Sequence, residues 1–399
     1  MDKIRVAHLV SLATVGGVER FFTNFACRSS QTFEHHVFLS TDKVHDFFKP
    51  KLQDAGIQTH SLRKWGPLYL PKFPAILRAK AHANLVKETG VRALVLWNKL
   101  EHFPIHFPAG LPLIHFERGS AWLATQDQPV REHLKRCHAI LANSAAGVEL
   151  IRGRWGLPES LPIRIAHNGV NPLFTESPAP IKERGDIIRL GFAGRFVPLK
   201  GWVLALMTLK ELLARQPGKY KLVVAGEGRQ KALFQSLMHE WNLSDHIEDM
   251  GLVKDMRDFF KRIDIFLHTS LREPFGNVAV EAQALGCPVI GGWMDGNPEI
   301  IRDGETGILL PMEKPVEDLR GLDESFTEVP PFVWDPLKRV LRPPTLMSPQ
   351  KMADAVQTIT ASSESLRRFS TQAAAWIRSE YDFNKRSHAL ENVLKEIVP

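Results

Sequence analysis

Residues 271–292 read LREPFGNVAVEAQALGCPVIGG. Val278, Ala282 and Leu285 recur at helical spacing, which predicts a helix beginning between Phe275 and Asn277, and CPVIGG (287–292) reads as a short buried strand. Glu273 falls in the loop ahead of that helix and Glu281 falls inside it. The first N–H groups of a helix and the positive end of its dipole form a seat for an anion. Two carboxylates at this spacing could be an acid/base pair, a metal site, receptors for separate hydroxyls or solvated charges. The offset of eight positions aligns them only if both are helical, so a close acid/base pair is disfavoured and separate hydroxyl receptors are the better chemical reading.

Outward from this stretch the same alternation repeats. Apolar runs at 3–10, 35–40, 92–97, 111–116, 138–143 and 163–168 are separated by helical patterns, and the series restarts at 187–194, 221–228, 263–268, 287–292 and 306–310. Near-continuous apolar strands between helices mark a parallel sheet covered on both faces. The pattern occurring twice gives an α/β chain of two doubly wound, Rossmann-like domains. The expected limits are 1–178, completed by a C-terminal helix at 381–399, and 186–380. TESPAPIKERGD (175–186), Pro-rich and charged, reads as the linker, and the Pro-rich segment from Pro311 to Pro349 as a surface excursion. Ligands of open α/β sheets bind beyond the carboxyl ends of the strands, so two such domains are expected to face a central cleft.

The 399 residues are 44% apolar and 24% charged, an ordinary globular balance. Cys27, Cys137 and Cys287 are far apart and show no zinc-ligand spacing, which suits a reducing cytoplasm. No stretch approaches the ~20 apolar residues of a spanning helix, and Arg5 and His8 interrupt the N-terminal apolar run where a signal peptide would be unbroken. The net charge of +7 implies anionic company: nucleotide phosphates, acidic lipids, polyanionic glycans or nucleic acid. No zinc finger, RNP-type strand or long Lys/Arg run is present, so no nucleic-acid partner is expected.

Further pieces carry chemistry. SLATVGGVERFFTNFA (11–26) places Gly16 and Gly17 between a strand and a helix, where backbone can approach a ligand, although the dinucleotide fingerprint is absent. GFAGRFVPLKG (191–201) places Arg195 and Lys200 after a strand end, two fixed cations suited to a diphosphate or, equally, to solvent. His102 and His106 are four apart, but Pro104 between them argues against a shared helical face for a metal. Most of the 16 histidines are expected at the surface or as local hydrogen-bond partners.

Taken in order, the Gly16–Gly17 turn, G-R-x4-K-G at 194–201, E-x7-E at 273–281 and GGWMDGNPEIIRDGETGILL at 291–310 resemble the retaining GT-B glycosyltransferases, in particular glycosyltransferase family 4. The resemblance runs along essentially the whole chain and is specific as a co-linear set. It implies a UDP- or GDP-linked sugar as donor, a glycan or glycolipid as acceptor and no metal or other cofactor. It further implies that Arg195 and Lys200 hold the departing diphosphate and that Glu281 accepts from the ribose. Glu273 would face the sugar, the Phe275–Gly276–Asn277–Val278 backbone would meet sugar and phosphate, and Gly16 and Gly17 would close over the diphosphate.

HFERGSAW (115–122) stands where these enzymes often carry a His-containing element near the reacting carbon, with Arg118 in the place where His is frequent. His115, Glu117 and Arg118 therefore compete for that contact, and His115 can equally be a buried cap on a strand end. Asn171 replaces the usual Asp of an N-G-V-D segment and reads as structural. A bacterial lipopolysaccharide or other surface-polysaccharide enzyme, cytoplasmic and peripheral at the inner membrane face, is the expected setting. A sugar-nucleotide epimerase and a silent nucleotide-sugar-binding protein are the alternatives.

Residues 49–80 carry seven Lys/Arg against one Asp, interleaved with Trp65, Leu68, Tyr69, Leu70 and Phe73. The stretch reads either as a surface for an anionic membrane or polyanionic acceptor, with Trp65 beside Arg118 as an acceptor-side candidate, or as a loop whose aromatics enter the core.

Overall fold

A computed structural model describes residues 3–71, 73–101 and 106–398. The chain divides into two compact units, Met1–Gly169 with Asn384–Pro399, and Val170–Phe383. His102 and Pro104 of the spaced histidine pair, and Lys72 of the basic stretch, lie outside the described residues.

The first unit is built on strands β1 (Ile4–Leu9), β2 (Phe33–Leu39) and β3 (Gln58–Ser61), a small hairpin of β4 (Lys64–Trp65) and β5 (Leu68–Tyr69), and then β6 (Ala93–Trp97), β7 (Leu113–Glu117), β8 (Ala139–Ala142) and β9 (Ile163–Ile165). Apart from the hairpin these form one parallel sheet in the order β3-β2-β1-β6-β7-β8-β9. The chain first winds to one side of β1 and then returns to place β6 on its other flank. The strand order therefore reverses between β1 and β6, the position at which open sheets of this kind hold ligands. Helices α1 (Gly17–Arg28), α2 (Lys49–Asp54), α3 (Ala75–Thr89), α4 (Asp127–Arg136) and α5 (Ala145–Trp155) complete the windings.

The apolar runs bury on both faces. Val6, Val37, Ala93 and Val95 pack on one side with Phe22 and Phe25 of α1, while Ala7, Leu9, Phe38, Leu94 and Leu96 pack on the other toward Leu85 and Val86 of α3.

A polar chain threads the α1 side of this core. The Trp97 indole N–H donates to His8 Nδ1 at 3.1 Å, His8 Nε2 lies 2.8 Å from His35 Nδ1, and His35 Nε2 lies 2.9 Å from Ser29 Oγ. Ser29 Oγ donates to the Phe25 carbonyl at 2.7 Å. Because indole can only donate, His8 must accept at Nδ1 and carry its proton on Nε2, and each later proton follows. Burial holds His8 well below its ordinary pKa and brings His35 down to about 3. The buried histidines of the sheet are thus satisfied hydrogen-bond partners rather than surface groups.

The second unit repeats the plan with β10 (Ile188–Ala193), β11 (Tyr220–Ala225), β12 (Ile247–Asp249), β13 (Ile265–His268), β14 (Val289–Gly292) and β15 (Gly307–Leu310), all parallel in the order β12-β11-β10-β13-β14-β15. Here the reversal falls between β10 and β13. Its helices are α6 (Trp202–Arg215), α7 (Lys231–Glu240), α8 (Met256–Arg262), α9 (Asn277–Ala284), α10 (Asn297–Ile300), α11 (Pro349–Ile359) and α12 (Ser363–Glu380). Leu190 and Phe192 pack with Leu206 and Leu209 of α6 and Val356 of α11 on one face. Val223 and Phe266 pack with Phe259 of α8, Ala279 of α9 and Ile377 of α12 on the other.

Two segments differ from the sequence reading. Residues 175–186 are not a loose connection but part of the second unit: the Lys182 backbone N–H donates to Ser370 Oγ at 2.9 Å, and its ammonium to the Phe260 carbonyl at 2.8 Å. The Pro-rich excursion after Pro311 is likewise built in. Met312–Pro315 pairs with Thr345–Met347 and Val333–Asp335 pairs with Val340–Arg342, with Phe326, Val333 and Met347 buried. Its prolines interrupt long ladders, while its spaced apolar residues still find the core. The last helix, α13 (Phe383–Ile397), returns to the first unit, where Leu390 and Leu394 join the α1 face of the core.

Candidate functional site

In the second unit β10 ends at Ala193, and the chain passes through Gly194 and Arg195 into a single turn, Pro198–Lys200, closed by Gly201. Gly201 has φ +57°, and a Cβ there would stand 2.2 Å from the Thr269 carbonyl oxygen. Only glycine permits this approach, which docks the loop after β10 on the loop after β13. The Leu271 N–H donates to the Leu199 carbonyl at 2.9 Å, and Thr269 Oγ1 to the Lys200 carbonyl at 2.8 Å. Lys200 Nζ is thereby held 2.8 Å from Glu273 Oε2 and donates to Ser270 Oγ at 3.3 Å.

Glu273 is fixed through its backbone as well. Its N–H donates to Asp295 Oδ2 at 3.0 Å, and its carbonyl accepts from the Gly296 N–H at 3.1 Å. Asp295 is buried and accepts from the Trp334 N–H at 2.8 Å, so the Pro-rich segment braces the glutamate loop. Burial pushes the Glu273 carboxyl up, but the charge and hydrogen bond of Lys200, with the His268 and Arg272 charges, together bring the group down to about 2. His268, at the end of β13, lies with Nε2 3.7 Å from Glu273 Oε2, and burial lowers its imidazole to about 4. At neutral pH the cluster therefore sets a carboxylate and a neutral imidazole beside Lys200.

The helix expected near Phe275 to Asn277 starts at Asn277, after Gly276 at φ +95°. A Cβ on Gly276 would lie 2.6 Å from Ile300 Cδ1, and the cap supplies no side chain to the first turn. Glu273 is outside the helix and Glu281 inside it, half-buried, so the two glutamates do not share a helical azimuth. The Phe275 ring is buried 5.8 Å from Tyr381, which leaves its backbone as the part that can meet a ligand. Asn277 is exposed and Val278 half-buried. The structure brings Lys200, Glu273 and His268 together beside the start of α9. It leaves the exposed Arg195 side chain out of that cluster, while the Lys200 stem and the Phe192 ring pass close to Gly194. His268 carries no mark in the sequence beyond ending IDIFLH at a strand terminus, and Asp295 enters only as the first residue of DGNPE (295–299) within the quoted stretch.

In the first unit Gly16 caps α1 in extended backbone and Gly17 begins the helix, with no side-chain cap. The Glu19 carboxylate folds back over them, 2.6 Å from where a Gly16 Cβ would be. His115 and Glu117, at the end of β7, are both fully buried. Glu117 Oε1 accepts from the N–H groups of Gly119 at 2.5 Å and Ala121 at 3.2 Å, and Oε2 from Ser120 Oγ at 2.6 Å and His115 Nε2 at 3.2 Å. His115 Nδ1 lies 3.2 Å from His133 Nε2. These bonds commit Glu117 to shaping the 118–122 turn and make His115 its support rather than a group presented to a reacting carbon.

Arg118 is the member of the trio that carries surplus bonding capacity. Its guanidinium lies over the rings of Phe21, Phe116 and Trp97 at 4.4, 5.0 and 5.4 Å, and burial lowers it to about 9. Its Nε and Nη1 are buried without a hydrogen-bond partner among the described residues. Trp65 lies elsewhere in this unit, exposed on the β4–β5 hairpin. Among the described residues no group of three His, Cys, Asp or Glu side chains is placed to hold a metal ion.

The geometry can be set beside known proteins. Over its full length the chain superposes on a glycosyltransferase from Rickettsia africae with a TM-score of 0.71 at 14% identity, covering 100% of this chain and 99% of that one. The Anabaena protein HepE, in complex with UDP and glucose, gives a TM-score of 0.69 at 17% identity, covering 98% and 100%. The fold is GT-B.

Residues 174–324, all within the second unit of this GT-B chain, match the family described as Glycosyl transferases group 1. Among curated proteins, a lipopolysaccharide core biosynthesis glycosyltransferase of Rhizobium meliloti is 36% identical over 117 residues, 29% of this chain and 33% of that one. A D-inositol 3-phosphate glycosyltransferase of Streptomyces scabiei is 30% identical over 255 residues, 55% of this chain and 56% of that one. The chain thus spans about a third of the length of the Rhizobium relative and about half, 56%, of the Streptomyces one. No helix among the described residues is long and apolar enough to cross a membrane.

Proposed function

We propose that this chain is a retaining glycosyltransferase of the family 4 type, which transfers a sugar from a UDP- or GDP-linked donor to a glycan or glycolipid. The setting proposed is assembly of bacterial lipopolysaccharide or another surface polysaccharide, on the cytoplasmic side and in reversible contact with an anionic membrane. The observation that carries the reading is the Lys200–Glu273 pair beside the α9 N-terminus, at the carboxyl ends of β10 and β13 where the strand order reverses. An anionic leaving group seated on the first turn of α9 would meet the helix dipole and the Lys200 ammonium together. Arg195, exposed on the preceding loop, can swing onto the same phosphates.

Glu273 uses Oε2 on Lys200, and Oε1 remains to accept from a sugar hydroxyl. Glu281, inside the helix, is proposed to accept from the ribose, and Gly16 and Gly17 to offer backbone to the diphosphate. The cations for the departing diphosphate come from side chains, so the reading needs no metal or cofactor. Support for the substrate class comes from the match to Glycosyl transferases group 1 and from relatives whose names state glycosyl transfer.

Calorimetry with separate ligands tests the reading. Glu281→Ala should weaken binding of the free nucleoside diphosphate, whereas Glu273→Ala should chiefly weaken binding of the intact nucleotide sugar. Equal losses for both ligands in both variants would refute the assignment.

A further inference from the structure

Residues 55–87 contain no aspartate or glutamate. Within this span the β4–β5 hairpin, the link after it and the first turn of α3 expose Trp65, Leu68, Tyr69, Phe73, Ile76 and Leu77, with Leu68 73% and Phe73 83% accessible. These are six of the fifteen large apolar side chains exposed among the described residues, so they form a cluster where the others are scattered. The aromatics of this stretch do not enter the core.

The surface is also held in shape. Lys64 pairs with Tyr69 and Trp65 with Leu68 across the hairpin, and the Leu70 N–H donates to the Arg63 carbonyl at 2.7 Å. Arg78 Nε donates to the Pro71 carbonyl at 2.9 Å and ties the link to α3. Lys64 stands with its ammonium 4.7 Å from the centre of the Tyr69 ring. Below the hairpin, His82 of α3 lies with Nε2 3.0 Å from the Leu62 carbonyl. Exposure here is not fraying: bonds that cost conformational freedom hold apolar side chains in water.

We infer that this face of the first unit docks on an anionic lipid bilayer, with Leu68, Tyr69, Phe73 and Ile76 entering the headgroup region and Arg63, Lys64, Arg78 and Lys80 meeting lipid phosphates. The inference deepens the membrane contact in the functional reading, but it rests on exposure and charge and not on the transfer reaction. Charge complementarity selects the occupant. Asp42, outside the acid-free stretch, lies 3.6 Å from the Lys64 ammonium, and the remaining cations still leave the face positive, so that it repels a cationic surface and gains little from a neutral one. A soluble polyanion would use the cations but would leave the apolar cluster in water. An anionic bilayer satisfies both sets, with aromatic and aliphatic side chains at headgroup depth and the longer cationic chains reaching phosphate.

The test is sedimentation of the full chain with vesicles of phosphatidylcholine alone and of phosphatidylcholine mixed with phosphatidylglycerol, at low and high salt. Two double variants are compared with the wild type, Leu68→Ser/Phe73→Ser and Arg63→Glu/Lys80→Glu. All four positions are exposed, so unchanged thermal melts should confirm that both variants fold. The wild type should bind the anionic vesicles at low salt, with partition at least about tenfold lower on neutral vesicles, at high salt or in either variant.

Absence of binding to anionic vesicles, equal binding to both lipids, or variants that bind as the wild type does would each overturn the inference. So would retention on dextran sulfate without vesicle binding, which would mark a site for a soluble polyanion. Sedimentation does not read catalysis. A chain that binds anionic vesicles but transfers no sugar upholds the docking face, and an active enzyme that ignores them overturns it.

Discussion

Two glutamates stand at the carboxyl ends of strands in the two units, Glu117 as the last residue of β7 and Glu273 in the loop after β13, and they are used differently. Glu117 is sealed and its two oxygens accept from four donors, three of them supplied by residues 119–121. Glu273 remains 13% exposed, binds one ammonium through one oxygen and is positioned mainly by its backbone. Both carboxyls are held below their ordinary range against the upward push of burial. For Glu117 the His115 hydrogen bond leads the lowering contributions, and for Glu273 it is the Lys200 charge. A lowered carboxylate pKa therefore does not by itself mark a working group. What separates the two is whether any bonding capacity is left for a ligand.

Acidification should give the largest difference. Burial leaves His8, His35 and His133 of the first unit with folded pKa values below the ordinary histidine range, about 3 for the latter two. The unfolded chain binds protons below about pH 6.5 that the folded chain refuses, so stability falls as pH drops through this window, by about 1.4 kcal/mol per pH unit for each fully buried histidine. Around the second-unit cluster, His268 alone acts in that direction. The contribution of Glu273, whose folded pKa is depressed, is fully present above the ordinary carboxylate range and lost only as pH falls toward 2. Hydrogen exchange between pH 7 and pH 4 should show β1 and β2 amides losing protection before those of β10 and β13. The opposite order would break the contrast.

Substituting the two glutamates comes next. Glu117→Ala strands buried donors and should cost about 3–5 kcal/mol in urea unfolding. Glu273→Ala leaves Lys200 able to reach water and should cost about 1 kcal/mol or less. Similar urea midpoints for the two variants would show that the difference in bonding has no energetic counterpart.

Lys200→Ala or Arg195→Ala should raise the barrier to turnover by about 2–3 kcal/mol, a rate loss of at least about tenfold, with a smaller effect on acceptor binding. Wild-type kcat in both variants at saturating donor would remove the diphosphate from this cluster. The smallest effect belongs to chelation. EDTA should leave turnover nearly unchanged, because the proposed cations are side chains; activity abolished by EDTA and restored by Mg²⁺ would require a metal at the site.

Much of this was legible in the sequence for a physical reason. Parallel strands covered on both faces are near-continuous apolar runs, and a helix behind a glycine at positive φ announces its own start, as Gly276 and Asn277 do. Lys200 and Glu273 could be marked as charged residues at strand ends, but their pairing depends on the close approach of Gly201 to Thr269, which no local pattern records. The bracing of Asp295 by Trp334 joins residues 39 positions apart and turned a segment read as surface into part of the site. The engagement of Glu117 is not legible in sequence, because two of its four donors are backbone N–H groups, common to every sequence, and His115 meets it only once β7 is formed. Arg118 was placed among the candidates only by resemblance, and the rings beneath it come from three separate elements.

The histidine chain behind β1 carries a consequence for alignment. In a strand that is apolar on both faces, sliding by two residues restores the same faces to the same sides and changes the buried area little. Hydrophobicity alone would therefore leave β1 and β2 with several nearly equivalent frames. The relay from Trp97 through His8 and His35 to Ser29 closes only with Val6 opposite His35 and His8 opposite Val37. Any other frame strands ring nitrogens in a dry interior, at about 1–3 kcal/mol for each unmet group. The relay thus acts as the key that tells otherwise interchangeable alignments apart, and it secures the turn carrying Gly16 and Gly17 at the end of β1.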